Sequence, residues 1–362
     1  MSRPSRRVGL VGLVVTLALV AAACGGGDGE PETTTTTAAP TTTTRAPTTT
    51  TTVDERAIAP LTGLRVDDAE ILAVPAISVK IDNAPQARPQ RGLNQADVVI
   101  EEFVEGITRF FAVFHAIDSD PVGPVRSART SDIDLLPMFG RPLFANSGGN
   151  PGTMGALRRS GVAVLATQDD APALYRRDAD GEIGRRAPHN LLTDTSALRS
   201  FLGADGVPPG AIFGFRPADE PVEAAAAEPV LGLRVGFGGT RAEWVWDADA
   251  ESFLRWQDGT PHVDADDVQV AAANVALLVT PYRASPADPR SPEAVTVGSG
   301  EAWILTDGHL VFGSWERTGP AERYILRDTA GEEILLTPGR TWIGLPRAGN
   351  ISRLEVDPRV AG

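Results

Sequence analysis

The stretch ADVVIEEFVEGITRFFAVFHA, residues 96–116, decides how the folded part of this chain is read. Two runs rich in Val, Ile and Phe flank Glu105-Gly106, and that composition predicts two strands joined by a tight turn, a β-hairpin. In the first run the two-residue period of a strand sets Glu101 and Glu105 on one face, which also carries Phe103. Carboxylates sharing a face with a large apolar ring must be paired or solvated. Arg109, Arg126 and Arg129 are their natural partners.

Outward from the hairpin, PAISVKIDN (75–83) reads as a buried strand that ends in polar residues. SDIDLLPMF (131–139) reads as a helix with Ser131 as N-cap, closed by Gly140 and Pro142. RPLFANSGG (141–149) is a strand running into a Gly-rich loop, and PGTMGALRRSG (151–161) a helix stopped by Gly161. TDTSALRSFLG (193–203) is a third helix, capped by Thr193 or Asp194. From Pro217 the texture becomes an acidic Ala/Pro-rich joint. Beyond it come strand signals such as LGLRVGF, RAEWVWD, NVALLVTPY and TWIGLP, separated by DG, TG and PGR turns. The predicted fold class is therefore α+β. A layered N-terminal domain with a mixed sheet spans 57–216, an acidic Ala/Pro linker spans 217–230, and a β-rich C-terminal domain spans 231–362. The Trp and Tyr residues of the second half read as core.

The amino terminus gives a basic start, MSRPSRR, and the apolar run GLVGLVVTLALVAAA directly before Cys24. That is the pattern of a secretory signal peptide, 1–23. Cys24 is the single cysteine, so no internal disulfide can form, and its position suits lipidation after cleavage. Residues 24–56 then form a Thr/Pro-rich stalk with almost nothing to bury. At up to ~3.3 Å per residue its roughly 30 residues reach ~100 Å at most. The expected location is the outer face of the cytoplasmic membrane, with the membrane as partner through a lipid on Cys24.

A formal net charge of −14 and an acidic isoelectric point near 4.8 argue against nucleic-acid binding, which wants a basic surface. Of the 33 Lys and Arg residues only Lys80 is a lysine. With the heavy use of Ala, Gly and Pro this suggests a GC-rich genome, so arginine abundance alone carries little.

No Walker loop, GxSxG elbow, SxxK or HExxH motif occurs. The four histidines, His115, His189, His262 and His309, are widely spaced, so neither a metal nor a cofactor is expected. Asp132 and Asp134 sit where a helix dipole attracts carboxylates. SGGNPG (147–152) is a Gly-rich connection that could cradle an anion. Polar residues gather at the strand ends: Asp82, Asn83 and Arg88, then Glu101, Glu102, Glu105 and Arg109, then Arg126, Ser127 and Arg129, then Arg185, Arg186, His189 and Asn190. They read either as a buried salt-bridge network or as a cleft whose arginines hold a carboxylate or phosphate while Glu or His moves a proton.

At these residues the chain resembles the YerB-like family of bacterial proteins, built from two consecutive domains with no assigned reaction. The resemblance rests on PLTGL (60–64), ARPQRGLNQADVVIE (87–101), EGITRFFAVF (105–114), GPVRSAR (123–129) and RRAPHNLLT (185–193), then on NVALLVTPY (274–282) and PGRTWIGLP (338–346). It implies a lipid-anchored envelope protein and no established reaction. Matching positions for a site are Arg88, Glu101, Glu105, Arg109, Arg126, Ser127, Arg129, His189 and Asn190. The leading expectation is a binding protein for an anionic cell-wall component or an envelope partner protein. The alternatives are an envelope-polymer hydrolase or transferase using Glu101 or Glu105 with His189, and a structural module whose Arg-Glu network holds the fold.

Overall fold

The computed structural model describes residues 54, 56–178, 184–202, 205–223, 227–289 and 291–360. The signal peptide, Cys24 and nearly all of the stalk lie outside the described residues, as do 224–226 of the acidic joint.

The hairpin forms as expected. Val98–Val104 and Ile107–Phe114 pair antiparallel with Val104 opposite Ile107, which leaves Glu105 and Gly106 as a two-residue turn. Both take positive φ, 43° and 93°, the backbone that twists such a turn to match its strands. This conformation also removes Glu105 from the strand's alternation. Glu105 therefore does not share a face with Glu101, contrary to the two-residue period.

Ile77–Asp82 pairs with the outer edge of the hairpin, and Leu143–Asn146 and Val164–Thr167 continue the sheet in parallel. On the hairpin's other edge, Val98–Val104 pairs in parallel with Thr341–Leu345 from the second half. Asn274–Leu278, Gly298–Thr306 and His309–Arg317 follow, so one eleven-stranded mixed sheet runs through both halves. Its central strands are rich in Val, Ile and Phe because both faces are covered, and the charged residues among them are buried too. Ile77–Asp82 is buried at all six positions.

One face carries a six-stranded sheet built on Gly232–Phe237, Thr240–Asp247 and Ser252–Gln257, whose Leu233, Val235 and Trp244 pack with Val99, Phe110 and Trp342. The helix Thr195–Leu202 joins this core through Leu198 and Leu202. The opposite face takes the helices Ser131–Leu135 and Pro151–Ser160, where Leu135, Met154 and Leu157 meet Ile100, Phe111 and Ile343. The result is α+β and β-rich, with Trp244, Trp315 and Trp342 in the core.

The helix stop at Gly161 is a left-handed cap, with Asn150 accepting from Thr153 N–H at the other end. At the helix Ser131–Leu135, however, Thr130 holds the cap position and makes no side-chain bond to the helix, donating instead to Ser285 Oγ at 2.8 Å. Ser131 is already helical, and its hydroxyl accepts from Ala294 N–H at 3.0 Å, a tertiary contact that sequence spacing cannot show.

Asp97, where the hairpin begins, is buried and accepts from His115 N–H at 2.6 Å and Ala116 N–H at 3.1 Å through one oxygen. Burial pushes its carboxyl up to about 6, despite those two bonds. A carboxyl raised in the folded state contributes stability below its unfolded value, and that contribution is lost as pH rises through the folded one. Over this window Asp97 should cost the wild type about 3 kcal/mol. Asp97→Asn keeps an oxygen for both N–H groups, so unfolding free energies measured between ~pH 4 and ~6 should fall less steeply in the variant. Parallel curves would show that Asp97 is solvated.

Candidate functional site

The helix-bearing face of the large sheet holds a row of polar side chains. Lys80 and Asp82 on Ile77–Asp82, Arg109 on the hairpin and Glu102 on Val98–Val104 all point to it, and Arg109 is the ladder partner of both Asp82 and Glu102. Beyond this row the parallel strands Ile77–Asp82 and Leu143–Asn146 part at their carboxyl ends. Such a parting is where open sheets form ligand crevices. Residues 124–128 fill the gap by bonding to both sides: Asp82 N–H to Pro124 O and Arg126 N–H to Lys80 O at 2.8 Å each, Ser147 N–H to Arg126 O at 3.0 Å, and Ala128 N–H to Gly148 O at 2.9 Å. The GPVRSAR motif is thereby held across the strand ends, facing the Gly-rich loop.

Arg126 reaches Asp82, with Nε 3.1 Å from Oδ2 but without hydrogen-bond geometry. His189 Nδ1 meets the same oxygen at 2.8 Å. Arg129 is 7% exposed and donates to Glu105 at 2.9 Å and to Ala128 O at 3.0 Å. Arg109 is 5% exposed and donates once, to Ser127 O at 3.0 Å. Its Nε has no partner, and among the described residues no carboxylate lies within ion-pair distance of it. Burial, then repulsion from Arg129 and Arg126, pulls its guanidinium down to about 10. Partial burial works to raise Glu105, but Arg129, Ser291 and Arg109 together hold it below the ordinary carboxylate range. Ser127 Oγ lies 3.4 Å from Ser147 Oγ. Three guanidinium groups thus gather at two carboxylates, Asp82 paired with Arg126 and Glu105 with Arg129, and Arg109 pairs with neither.

Glu105 also lines an open cleft of about 440 Å³ together with Phe103, Tyr282, Ser291 and Arg347. There the Arg347 guanidinium lies 4.9 Å from the Phe103 ring and 5.1 Å from the Tyr282 ring.

Glu101 points the other way, into the layer between the sheets. It accepts from Arg255 at 2.9 and 3.0 Å, from Thr108 at 2.8 Å and from the Trp342 indole at 3.1 Å. Arg88 bonds Asn83 and Asp258. Asn190 donates to Arg185 O and accepts from Arg177, which braces its own loop. The structure therefore brings Glu105, Arg109, Arg126, Ser127, Arg129 and His189 together and places Glu101, Arg88 and Asn190 elsewhere. Sequence reasoning named Asp82 and Glu102 without a role and gave none to Lys80. That Lys80 is the one lysine was the available signal.

Comparison with known proteins places these motifs. Residues 61–207, which contain the whole arginine cluster, match the N-terminal domain described as "Protein of unknown function (DUF3048)", and residues 233–343 match the corresponding C-terminal domain. Among curated proteins, "Putative lipoprotein YerB" of Bacillus subtilis (strain 168) is 28% identical over 299 residues, covering 79% of this chain and 85% of that one. The chain belongs to the YerB-like family. The crystal structure of YerB from Bacillus subtilis superimposes with a TM-score of 0.70 at 26% identity, over 83% of this chain and all of that one. The family's first domain supplies the arginines, and its second supplies Arg255, Tyr282 and Trp342.

Proposed function

We propose that this family member is a lipid-anchored envelope protein that binds an anionic envelope component through Arg109, Arg126 and Arg129. The observation that carries the reading is Arg109, a buried guanidinium with no carboxylate partner beside two further arginines. Burying an unpaired charge costs several kcal/mol, and an arriving carboxylate or phosphate would repay it with charge-assisted hydrogen bonds. The anchor rests on Cys24, on the leader before it and on the name of the YerB relative. The stalk would let the domain stand off the outer face of the cytoplasmic membrane.

Thermal melting of the full chain in detergent, with solubilised wall fragments and with inorganic phosphate as comparison, tests the site. The wild type should show an upshift with wall fragments. Arg126→Ala, at a partly exposed position, should melt within a few degrees of it and lose that upshift. An upshift that survives the substitution would remove Arg126 from the site.

A second reading, catalysis, is favoured by one observation: the carboxylate of Asp82 orients His189 at 2.8 Å, the arrangement that sets a general base. In that case His189→Gln should keep the upshift and lose turnover of the wall fragments.

A further inference from the structure

Lys80 is the single lysine of the chain, against 32 arginines (33 Lys and Arg in all, less one), and it has no exposed surface. Wherever else this chain needs a cation it uses a guanidinium. The position that keeps an amine is enclosed by two carboxyl groups. Lys80 Nζ donates to Asp132 Oδ1 at 2.7 Å and to Glu102 Oε1. Asp132 and Glu102 are as completely buried as Lys80. The Phe111 ring, 5.7 Å from Nζ, closes the site on another side.

The partners are arranged for chemistry that an arginine cannot perform. Asp132 Oδ2 accepts from Arg129 N–H at 2.7 Å, so one oxygen of this carboxyl is polarised by a fixed donor while the other faces the amine. Glu102 Oε2 has no hydrogen-bond partner, which leaves that carboxyl with capacity to take and return a proton. A desolvated amine is a nucleophile, whereas a guanidinium stays charged and unreactive.

We propose that Lys80 and Asp132 are joined by an intramolecular isopeptide bond, with Glu102 as the proton-transfer group. Glu102 takes a proton from the Lys80 ammonium, and Nζ attacks Cγ of the protonated Asp132. The oxygen held by Arg129 N–H carries the developing negative charge and becomes the amide oxygen. Glu102 delivers its proton to Oδ1, which leaves as water, and receives the surplus proton from nitrogen. One N–C bond forms and one C–O bond breaks. No oxidant or cofactor is needed, and all three groups end uncharged. Burial raises the Asp132 carboxyl, although Lys80 opposes it, so the protonated form that the attack requires is favoured. Condensation also removes the buried Lys80–Glu102 ion pair, whose desolvation a dry site makes costly.

The bond would fasten the strand Ile77–Asp82 to the helix Ser131–Leu135, and so fix GPVRSAR between them. In an exported chain with one cysteine it supplies a covalent staple that a disulfide cannot.

The test uses the single lysine. The full chain is unfolded in denaturant and digested with a protease that cleaves only after lysine. We expect the wild type to resist cleavage at Lys80-Ile81 and Asp132→Ala to be cut there under the same conditions. After a second, non-lysine digestion the peptides bearing Lys80 and Asp132 should appear as one species, lighter than their sum by one water. Glu102→Gln should be cut like Asp132→Ala. Because the chains are unfolded before digestion, access of the protease to Lys80 does not depend on a variant's stability, and a cooperative melt of Glu102→Gln separates loss of the proton-transfer group from loss of the fold. Clean cleavage of the wild type at Lys80 overturns the proposal, and a fragment spectrum that places the link on Glu102 overturns the assignment of the acceptor.

Discussion

Arg255→Ala should lower the unfolding free energy by about 3–5 kcal/mol, the largest stability loss expected of any single substitution described above. Its guanidinium is wholly buried among the rings of Trp342, Phe110 and Trp244, with centroid distances of 5.0, 5.5 and 5.8 Å. It gives Glu101 two hydrogen bonds and also contacts Gln257 and His262. Burial, then the charge of Arg255, holds His262 well below its ordinary value, so His262 stands neutral and acts as a hydrogen-bond partner. Removing the arginine leaves the Glu101 carboxylate in an apolar layer with only Thr108 and Trp342 as donors. Denaturant titration of the two proteins measures the difference. The double substitution Glu101→Leu with Arg255→Met removes both charges together and should recover most of the loss. A single-variant loss below ~1 kcal/mol would mean that water reaches the pair.

Arg109→Met should behave in the opposite way. An unpaired buried guanidinium is a burden on folding, so an apolar side chain of similar length should leave stability unchanged or raise it. On the function proposed above, the same change should weaken retention of an anionic wall component by about 30-fold or more, the ~2 kcal/mol lower limit for losing one partner of a buried charged contact. Equilibrium binding to immobilised wall fragments, read beside a denaturant titration, separates the two effects. A variant that loses stability and keeps binding would make Arg109 part of the framework. Arg255 and Arg109 are both buried in one sheet's neighbourhood, yet they should respond with opposite signs because one has its anion and the other lacks it.

Local patterns were legible in the sequence. The hairpin was readable because strand-forming runs flank a dipeptide able to adopt positive φ, and the helix Pro151–Ser160 because Gly161 marks its end. The gathering of Arg109, Arg126, Arg129 and His189 was readable from motifs at strand ends. The partner of Glu101 was not, since Arg255 lies on the far side of the second domain's first strands and nothing local links the two. Alternation misled at Glu105 because its left-handed turn takes it out of the strand's alternation. Asp132 looked like a helix-dipole residue, and its bond to Lys80 depends on a strand and a helix meeting in space. The shared sheet was equally hidden, because parallel pairing between Val98–Val104 and Thr341–Leu345 leaves no trace in either segment's own composition.

That shared sheet bears on how the chain can be made. Residues leave the ribosome in order, so Val98–Val104 arrives long before the strand that completes its edge. Until residues 341–345 follow, it presents an apolar row of unpaired backbone groups, the template on which other chains stick. The first domain cannot finish early and wait. Safe folding depends on completing the whole chain quickly or on a companion that shields that edge, and a shortened product ending before Thr341 is a hazard to its neighbours as well as a loss of function.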